Sequence, residues 1–264
     1  MKGRVLIIAG SDCSGGAGVQ ADIKTITALG GYAASAITAV TVQDTSGVQD
    51  IHPIPPDIIA GQIKAVMHDI GADVIKIGMI STPAVAAAIF ESLSPWPDVP
   101  LVLDPVMVAT SGDRLASSDM SQTLRAMLPR VDVVTPNLME AEELTELMIS
   151  GPEGQLAAGR ALLTLGAKAA IIKGGHGKSG PGDKILDILV TREDTKRFTS
   201  KRIRTRHTHG TGCTLASAIA TGLAQEMSLL EATRRAIVYV QKAILEAPGF
   251  GKGNGPLNHC VKVD

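Results

Sequence analysis

Aromatic side chains are nearly absent from this chain: three Phe, two Tyr and one Trp make up 2% of its 264 residues. That scarcity excludes the stacking platforms on which single-stranded nucleic acids lie, so a bound ring must rest on aliphatic, Met or peptide surfaces. Net charge is lacking too. Lys plus Arg number 25 and Asp plus Glu 26, for a formal charge of -1, which leaves no broad basic face for nucleic acid. The three cysteines, Cys13, Cys213 and Cys260, form no C-x-x-C pair, a usage that points to a reducing, cytoplasmic compartment rather than a disulfide framework. No long hydrophobic run is present either. Residues 2–9 are apolar but give way at once to Gly10, Ser11 and Asp12, too short a stretch for a signal segment or a membrane span. With no low-complexity linker and no internal repeat, residues 1–264 read as one domain.

What the chain does have is a 45% hydrophobic content arranged in alternation. Short β-rich runs at 5–9, 34–39, 74–77, 101–103, 131–135 and 169–173 alternate with helical stretches at 18–29, 56–69, 83–92, 118–127, 138–148 and 154–165. Several helices open on proline or on an Asn, Asp, Ser or Thr cap. This is the pattern of a mostly parallel α/β sheet with helices on both faces. Residues 184–200 read as a small hairpin at the sheet edge, turning at Thr191 to Asp194,. Two more helices, 215–224 and 229–247, precede a Gly/Pro-rich loop at 248–256,.

The most pointed segment is His209-Gly210-Thr211-Gly212-Cys213-Thr214, a glycine-rich turn running straight into an apolar helix. Unpaired N–H groups at a helix start, with glycines allowing close approach, suit a phosphate. Cys213 would there have its thiolate favoured and could orient or deprotonate a nucleophile; a plain tight turn with a small buried Cys is the alternative. The loop from Gly10 to Gly18 follows the first strand and opens a helix, the ligand-facing edge of such a sheet. Its G-x-G-x-x-A stretch, Gly16 to Ala21, lies six residues too late for a dinucleotide fingerprint,. Lys173-Gly174-Gly175-His176-Gly177-Lys178-Ser179 ends like a P-loop, but the first required glycine is Ile172 and no helix can follow Gly180-Pro181,. A strand-end lysine with flexible glycines remains, suited to a phosphate contact. His207, His209 and Cys213 do not have zinc-finger spacing. Asp104, at the end of a buried strand, and Glu140, three residues after the helix cap Asn137, would suit Mg²⁺ with its waters, although capping alone accounts for Asn137 and Glu140. Gln43, in the loop after the second strand, carries a donor and an acceptor that match an aminopyrimidine edge.

Taken together, Ala9-Gly10-Ser11-Asp12, Ser14 to Gly18, Gln20-Ala21-Asp22, Thr41-Val42-Gln43, Lys76-Ile77-Gly78-Met79, Asp104-Pro105-Val106-Met107, Thr135-Pro136-Asn137-Leu138, Lys173-Gly174-Gly175-His176 and the 209–214 segment closely resemble the hydroxymethylpyrimidine/phosphomethylpyrimidine kinases of thiamin biosynthesis, within the ribokinase-like superfamily. The resemblance covers nearly the whole chain and implies a three-layer ribokinase-like fold and a homodimer. It also implies an ATP- and Mg²⁺-dependent enzyme that phosphorylates 4-amino-5-hydroxymethyl-2-methylpyrimidine and then its monophosphate. On this chain it implies that Gln43 reads the pyrimidine with Gly10, Asp22, Met79 and Val106 around the ring. Gly210, Thr211, Gly212 and Cys213 would form the anion hole, with Cys213 as base and Lys173 beside it. Asn137, Lys173, His176 and Thr211 would meet the nucleotide, and Asp104 and Glu140 the metal. The chain departs from the expected pattern at Ile237, where a lysine is expected, and at Lys252, where a histidine is. A pyridoxal-type kinase and a catalytically silent pyrimidine sensor are the alternatives.

Overall fold

The computed structural model describes residues 1–108, 112–113, 119–175 and 183–263. Among them nine strands join one sheet: β1 (Arg4–Asp12), β2 (Tyr32–Asp44), β3 (Gly47–Pro53), β4 (Val74–Ile77), β5 (Leu101–Leu103), β6 (Val133–Val134), β7 (Ala169–Ile172), β8 (Lys184–Thr191) and β9 (Thr195–Lys201), in the order β3-β2-β1-β4-β5-β6-β7-β8-β9. From β2 across to β7 every pairing is parallel. The two margins are antiparallel hairpins, β2–β3 on one side and β8–β9 on the other.

The helices are α1 (Gly18–Ala28), α2 (Pro56–Asp69), α3 (Pro83–Leu93), α4 (Met120–Met127), α5 (Leu138–Thr145), α6 (Gly151–Thr164), α7 (Thr211–Ala224) and α8 (Leu229–Leu245). Successive strand residues point to opposite faces. Val5, Ile7 and Ala9 therefore join Val102, Ile171 and helices α1, α7 and α8 in one core, while Leu6, Ile8, Ile75 and Ile77 join helices α2 to α6 in the other. Helices on both faces explain why these strands are apolar throughout rather than alternating. On α2 the stripe is Ile59, Ile63 and Met67, all buried; each such side chain contributes about 1.5–3 kcal/mol of transfer free energy.

Differences from the sequence expectation have local causes. Helix α5 stops at Thr145, not 148, because Glu146 turns left-handed at φ 60. Helix α7 starts at Thr211, four residues before 215, because Gly210 takes φ 84 and Thr214 N–H closes the first turn on its carbonyl at 2.9 Å. Strand β2 runs on to Asp44, so Gln43 stands on a strand and not in a loop. Its partner β3 is mostly exposed and polar, and as an edge strand it carries no apolar alternation by which it could be read. The 184–200 hairpin lies at the sheet edge as expected, and the Gly/Pro loop folds back so that Asn254 N–H meets Thr45 O at 2.7 Å.

Candidate active site

The carboxyl ends of the parallel strands open into a pocket of about 580 Å³, the edge where open α/β sheets take ligands. Helix α7 packs on β1, β4 and β5 at the sheet centre and brings its N-terminus to the middle of that pocket, where Gly210, Thr211, Gly212 and Cys213 line the wall. The N–H groups of Gly212 and Cys213 precede the first intrahelical bond and have no carbonyl of their own helix to meet. Gly210 must be glycine twice over: φ is 84, and a Cβ would run into the Gly16 carbonyl.

A charged group faces this helix start. Lys173, whose backbone N–H holds Pro136 O just past β7, extends its Nζ to within 2.9 Å of Asp104 Oδ1 and 4.0 Å of Glu140 Oε2. A Cβ on Gly212 would sit 3.1 Å from that Nζ and 3.5 Å from Asp104 Oδ2. Burial pulls the Lys173 ammonium down, but Asp104 and Glu140 outweigh it and hold it above its ordinary value. Burial pushes the Glu140 carboxyl up, against the pull of Lys173. Asn137 and Glu140 do form a reciprocal capping box, Glu140 N–H to Asn137 Oδ1 at 3.0 Å and Asn137 N–H to Glu140 Oε2 at 2.8 Å. Both also line the pocket, so capping and site-facing coexist. Asp104 Oδ2 is buried with no hydrogen-bond partner. An unpartnered carboxylate oxygen beside a second carboxylate fits Mg²⁺, which takes one or two carboxylates and keeps several waters. No group of three His, Cys, Asp or Glu stands ready for a metal among the described residues.

Cys213 is the clearest correction. Removal from water pushes its thiol up to about 12, with Lys76 and a Gly18 N–H favouring the thiolate and Asp22 and Asp104 disfavouring it. Asp22 is the second correction. It is wholly buried and does not line the pocket. Both of its oxygens are taken by Lys76 Nζ, at 2.9 and 2.8 Å, and Ser217 Oγ donates to Oδ1 at 2.7 Å. Lys76 occupies a strand position whose neighbour on the same face, Val74, is core. Burial pulls its ammonium down, but Asp22, Cys213 and Asp104 together raise it.

On the β1–β2 side the pocket is lined by Gly10, Thr41, Gln43, Met79, Val106 and His209. A Cβ on Gly10 would lie 3.0 Å from Met79 Sδ, so the backbone is drawn close to that wall. His209 Nε2 is 2.8 Å from Asp12 Oδ2 and 3.5 Å from the Gln43 amide nitrogen. Burial pushes the Asp12 carboxyl up, but donors from His209, Ser14 and Ala17 prevail and hold it at about 2. On the far side, toward β7 and β8, Asp187 accepts the Gly174 N–H at 2.8 Å, Arg202 donates to Gly175 O at 2.9 Å, and Ile237, Val240 and Ile244 of α8 supply an apolar wall. His176 lies outside the described residues.

Sequence reasoning quoted Lys76 inside a motif without giving it a task, weighed His209 only for zinc, and passed over Asp187 altogether. The signal was the same for Lys76 and Asp187, a lone charge in an apolar strand.

A doubly wound sheet with an anion-gathering helix start over its centre and a lysine–carboxylate cluster beside it defines a small-molecule kinase of the ribokinase-like fold. Solved structures agree: an ADP complex of Bacillus subtilis pyridoxal kinase matches with TM-score 0.90 and 31% identity over 98% of both chains. Phosphomethylpyrimidine kinase from Clostridium difficile matches with TM-score 0.82 and 38% identity, covering 92% of this chain and 100% of that one. The chain belongs to the phosphomethylpyrimidine kinase family, whose model matches residues 12–258. It is 43% identical over 258 residues to the hydroxymethylpyrimidine/phosphomethylpyrimidine kinase of Salmonella typhimurium, covering 96% of each. It is 46% identical over its full length to the thiamine biosynthesis bifunctional protein ThiED of Geobacter sulfurreducens, and spans 53% of that longer protein. No helix among the described residues is long and apolar enough to cross a membrane.

Proposed function

We propose that this chain uses ATP and Mg²⁺ to phosphorylate the hydroxymethyl group of 4-amino-5-hydroxymethyl-2-methylpyrimidine, and then phosphorylates the resulting monophosphate to the diphosphate, as a step of thiamin biosynthesis. The observation that carries this reading is one continuous pocket with Gln43 on one side, the apolar wall of α8 on the other, and the α7 start with Lys173 and Asp104 between them. Phosphoryl transfer asks for positioning and charge stabilisation more than for covalent chemistry, and those are the resources present.

Gln43 reads the aminopyrimidine edge, with Gly10, Met79 and Val106 against the ring. Asp22 acts from behind, through Lys76, rather than at the ring. The N–H groups of 210–213, with Lys173, gather the transferring phosphoryl group. Asp104 and Glu140 would hold Mg²⁺ with its waters, and the ion would supply charge neutralisation for the nucleotide phosphates. Asn137, Thr211 and His176 belong to the nucleotide side, as do Ile237 and Val240. With its thiol pushed up to about 12, Cys213 orients the substrate hydroxyl at Sγ instead of waiting as a thiolate. In a loose transition state the hydroxyl proton need leave only as the new P–O bond forms.

A pyridoxal kinase is the second reading, favoured by the fold match to the Bacillus subtilis enzyme and by a pyridoxal complex of the Staphylococcus aureus pyridoxal kinase at 33% identity and TM-score 0.89. The deciding experiment supplies Mg-ATP with hydroxymethylpyrimidine, its monophosphate or pyridoxal and follows the products by mass spectrometry. Pyrimidine diphosphate establishes both steps. Product from pyridoxal alone replaces the reading by the second, and tight pyrimidine binding without ADP replaces it by a sensor. We further place residues 1–264 in one kinase domain, supported by the single sheet, in the cytoplasm, supported by three free cysteines, and in a homodimer, which light scattering tests.

A further inference from the structure

The donors and acceptors around Gln43 do not balance with its carboxamide oriented as found. Its nitrogen lies 3.5 Å from His209 Nε2, and its oxygen lies 3.3 Å from Thr41 Oγ1. His209 Nε2 is also 2.8 Å from Asp12 Oδ2. That carboxylate already accepts from Ser14 N–H, Ser14 Oγ and Ala17 N–H at 2.9, 3.0 and 2.8 Å, and an ionised carboxylate has only acceptors to offer. His209 Nε2 therefore carries the hydrogen, whatever the state of the other ring nitrogen, and a Gln43 N–H facing it sets donor against donor. The Thr41 hydroxyl has one proton, and Ser11 O, at 3.0 Å, takes it. That leaves lone pairs facing the Gln43 oxygen. Both conflicts vanish when the carboxamide turns by 180°, an exchange that leaves its shape unchanged: Thr41 Oγ1 then meets an N–H, and the His209 Nε2–H, whose main acceptor stays Asp12, turns its positive flank to the Gln43 oxygen.

We infer that His209, anchored by Asp12, and Thr41 lock the Gln43 carboxamide with its oxygen toward His209 and its nitrogen toward Thr41, and so act as specificity-determining residues that fix the donor–acceptor order shown to the substrate ring. This rests on the reading of Gln43 as the pyrimidine contact. With one N–H given to Thr41 and one side of the oxygen turned to the His209 N–H, the second N–H and second lone pair form the edge left for a ligand. A ring held with its hydroxymethyl group toward Cys213 can then satisfy that edge in one order only, ring nitrogen as acceptor and exocyclic group as donor. The 4-oxo analogue carries the reverse order, a ring N–H and a carbonyl, and leaves the locked amide mismatched at two places. Unlocked, the amide would turn to suit either ring.

The test compares kcat/KM for the 4-amino substrate and its 4-oxo analogue in wild type, Thr41→Val, His209→Leu and Gln43→Leu. Wild type should prefer the 4-amino ring by about 100-fold or more, the scale for unmatched buried polar groups. Thr41→Val and His209→Leu should each shrink that preference by about tenfold or more, through better use of the 4-oxo ring; a merely structural role would lower both substrates together and leave the ratio alone. A ratio unchanged in the two lock variants but collapsed in Gln43→Leu overturns the lock and keeps the Gln43 reading. A ratio unchanged in Gln43→Leu as well overturns that reading too. Should His209→Leu fail to fold, Thr41→Val decides.

Discussion

The pair Lys76 and Asp22 offers a sharp test of how the site is supported, because both side chains are entirely out of water, with Lys76 at the pocket wall and Asp22 behind it. Asp22→Asn keeps the shape and the Ser217 contact but leaves the Lys76 ammonium buried without its counter-charge. Removing one partner of a buried pair costs about 3–5 kcal/mol. At roughly 2–4 °C per kcal/mol for a chain of about this size, the melting temperature should fall by about 10 °C. Lys76→Met with Asp22→Asn removes the charge along with its partner. Since a buried pair replaced as a whole is often neutral or better, the double variant should recover most of the loss. Thermal and urea unfolding followed by circular dichroism measure both. A loss under about 1 kcal/mol for Asp22→Asn, or a double variant no more stable than the single, refutes the reasoning. Turnover should still fall in the stable double variant, because an ammonium that lines the pocket beside Cys213 is gone; turnover equal to wild type would confine Lys76 to a structural task.

Three further outcomes are expected. Cys213→Ala should keep its melting temperature and bind pyrimidine while kcat drops by roughly 10²-fold or more; near-normal turnover removes Cys213 from the reaction. Asp12, held at about 2 and so below its unfolded value of about 3.9, contributes stability that is complete above that unfolded value and disappears as pH falls through 2. Urea unfolding should therefore show wild type losing on the order of 2 kcal/mol relative to Asp12→Asn over that window, and parallel pH curves for the two would show that the donors around Asp12 do not hold it ionised. Gly210→Ala places a Cβ at φ 84 against the Gly16 carbonyl and should cost about 1–3 kcal/mol together with most of the activity; a stable, active variant would mean that the turn before α7 can be rebuilt without glycine.

Much of this molecule is legible along the chain because its causes are short-range. The apolar runs in β1 and β7 and the four-residue strand β4, broken only by Lys76, the Pro56 and Pro83 starts and the Asn137 cap each depend on neighbours within a turn or a strand. The glycine turn at Gly210 is of the same kind, which is why a turn into a helix is legible there from the sequence. Even there the helix begins four residues early, since a left-handed glycine is the start signal and the apolar run only follows it. The edge strand β3 escaped because its pairing is backbone to backbone and leaves no trace in side-chain pattern.

Sequence by itself settled the alternating α/β architecture, the glycine turn that opens α7 and the family resemblance, all of which rest on periodicity and on the order of local motifs. Tertiary structure alone decided who answers each charge. Lys76 meets Asp22 across 54 positions, His209 meets Asp12 across 197, and Lys173 meets Asp104 across 69. The ionisation of a buried group depends on its solvation and on every charge within a few ångströms, and the chain must be folded before those neighbours exist. Hence the Cys213 thiol, read along the sequence as a favoured thiolate at a helix start, is pushed up by its folded surroundings, and Asp22, read as a ligand contact, is buried against Lys76 and Ser217.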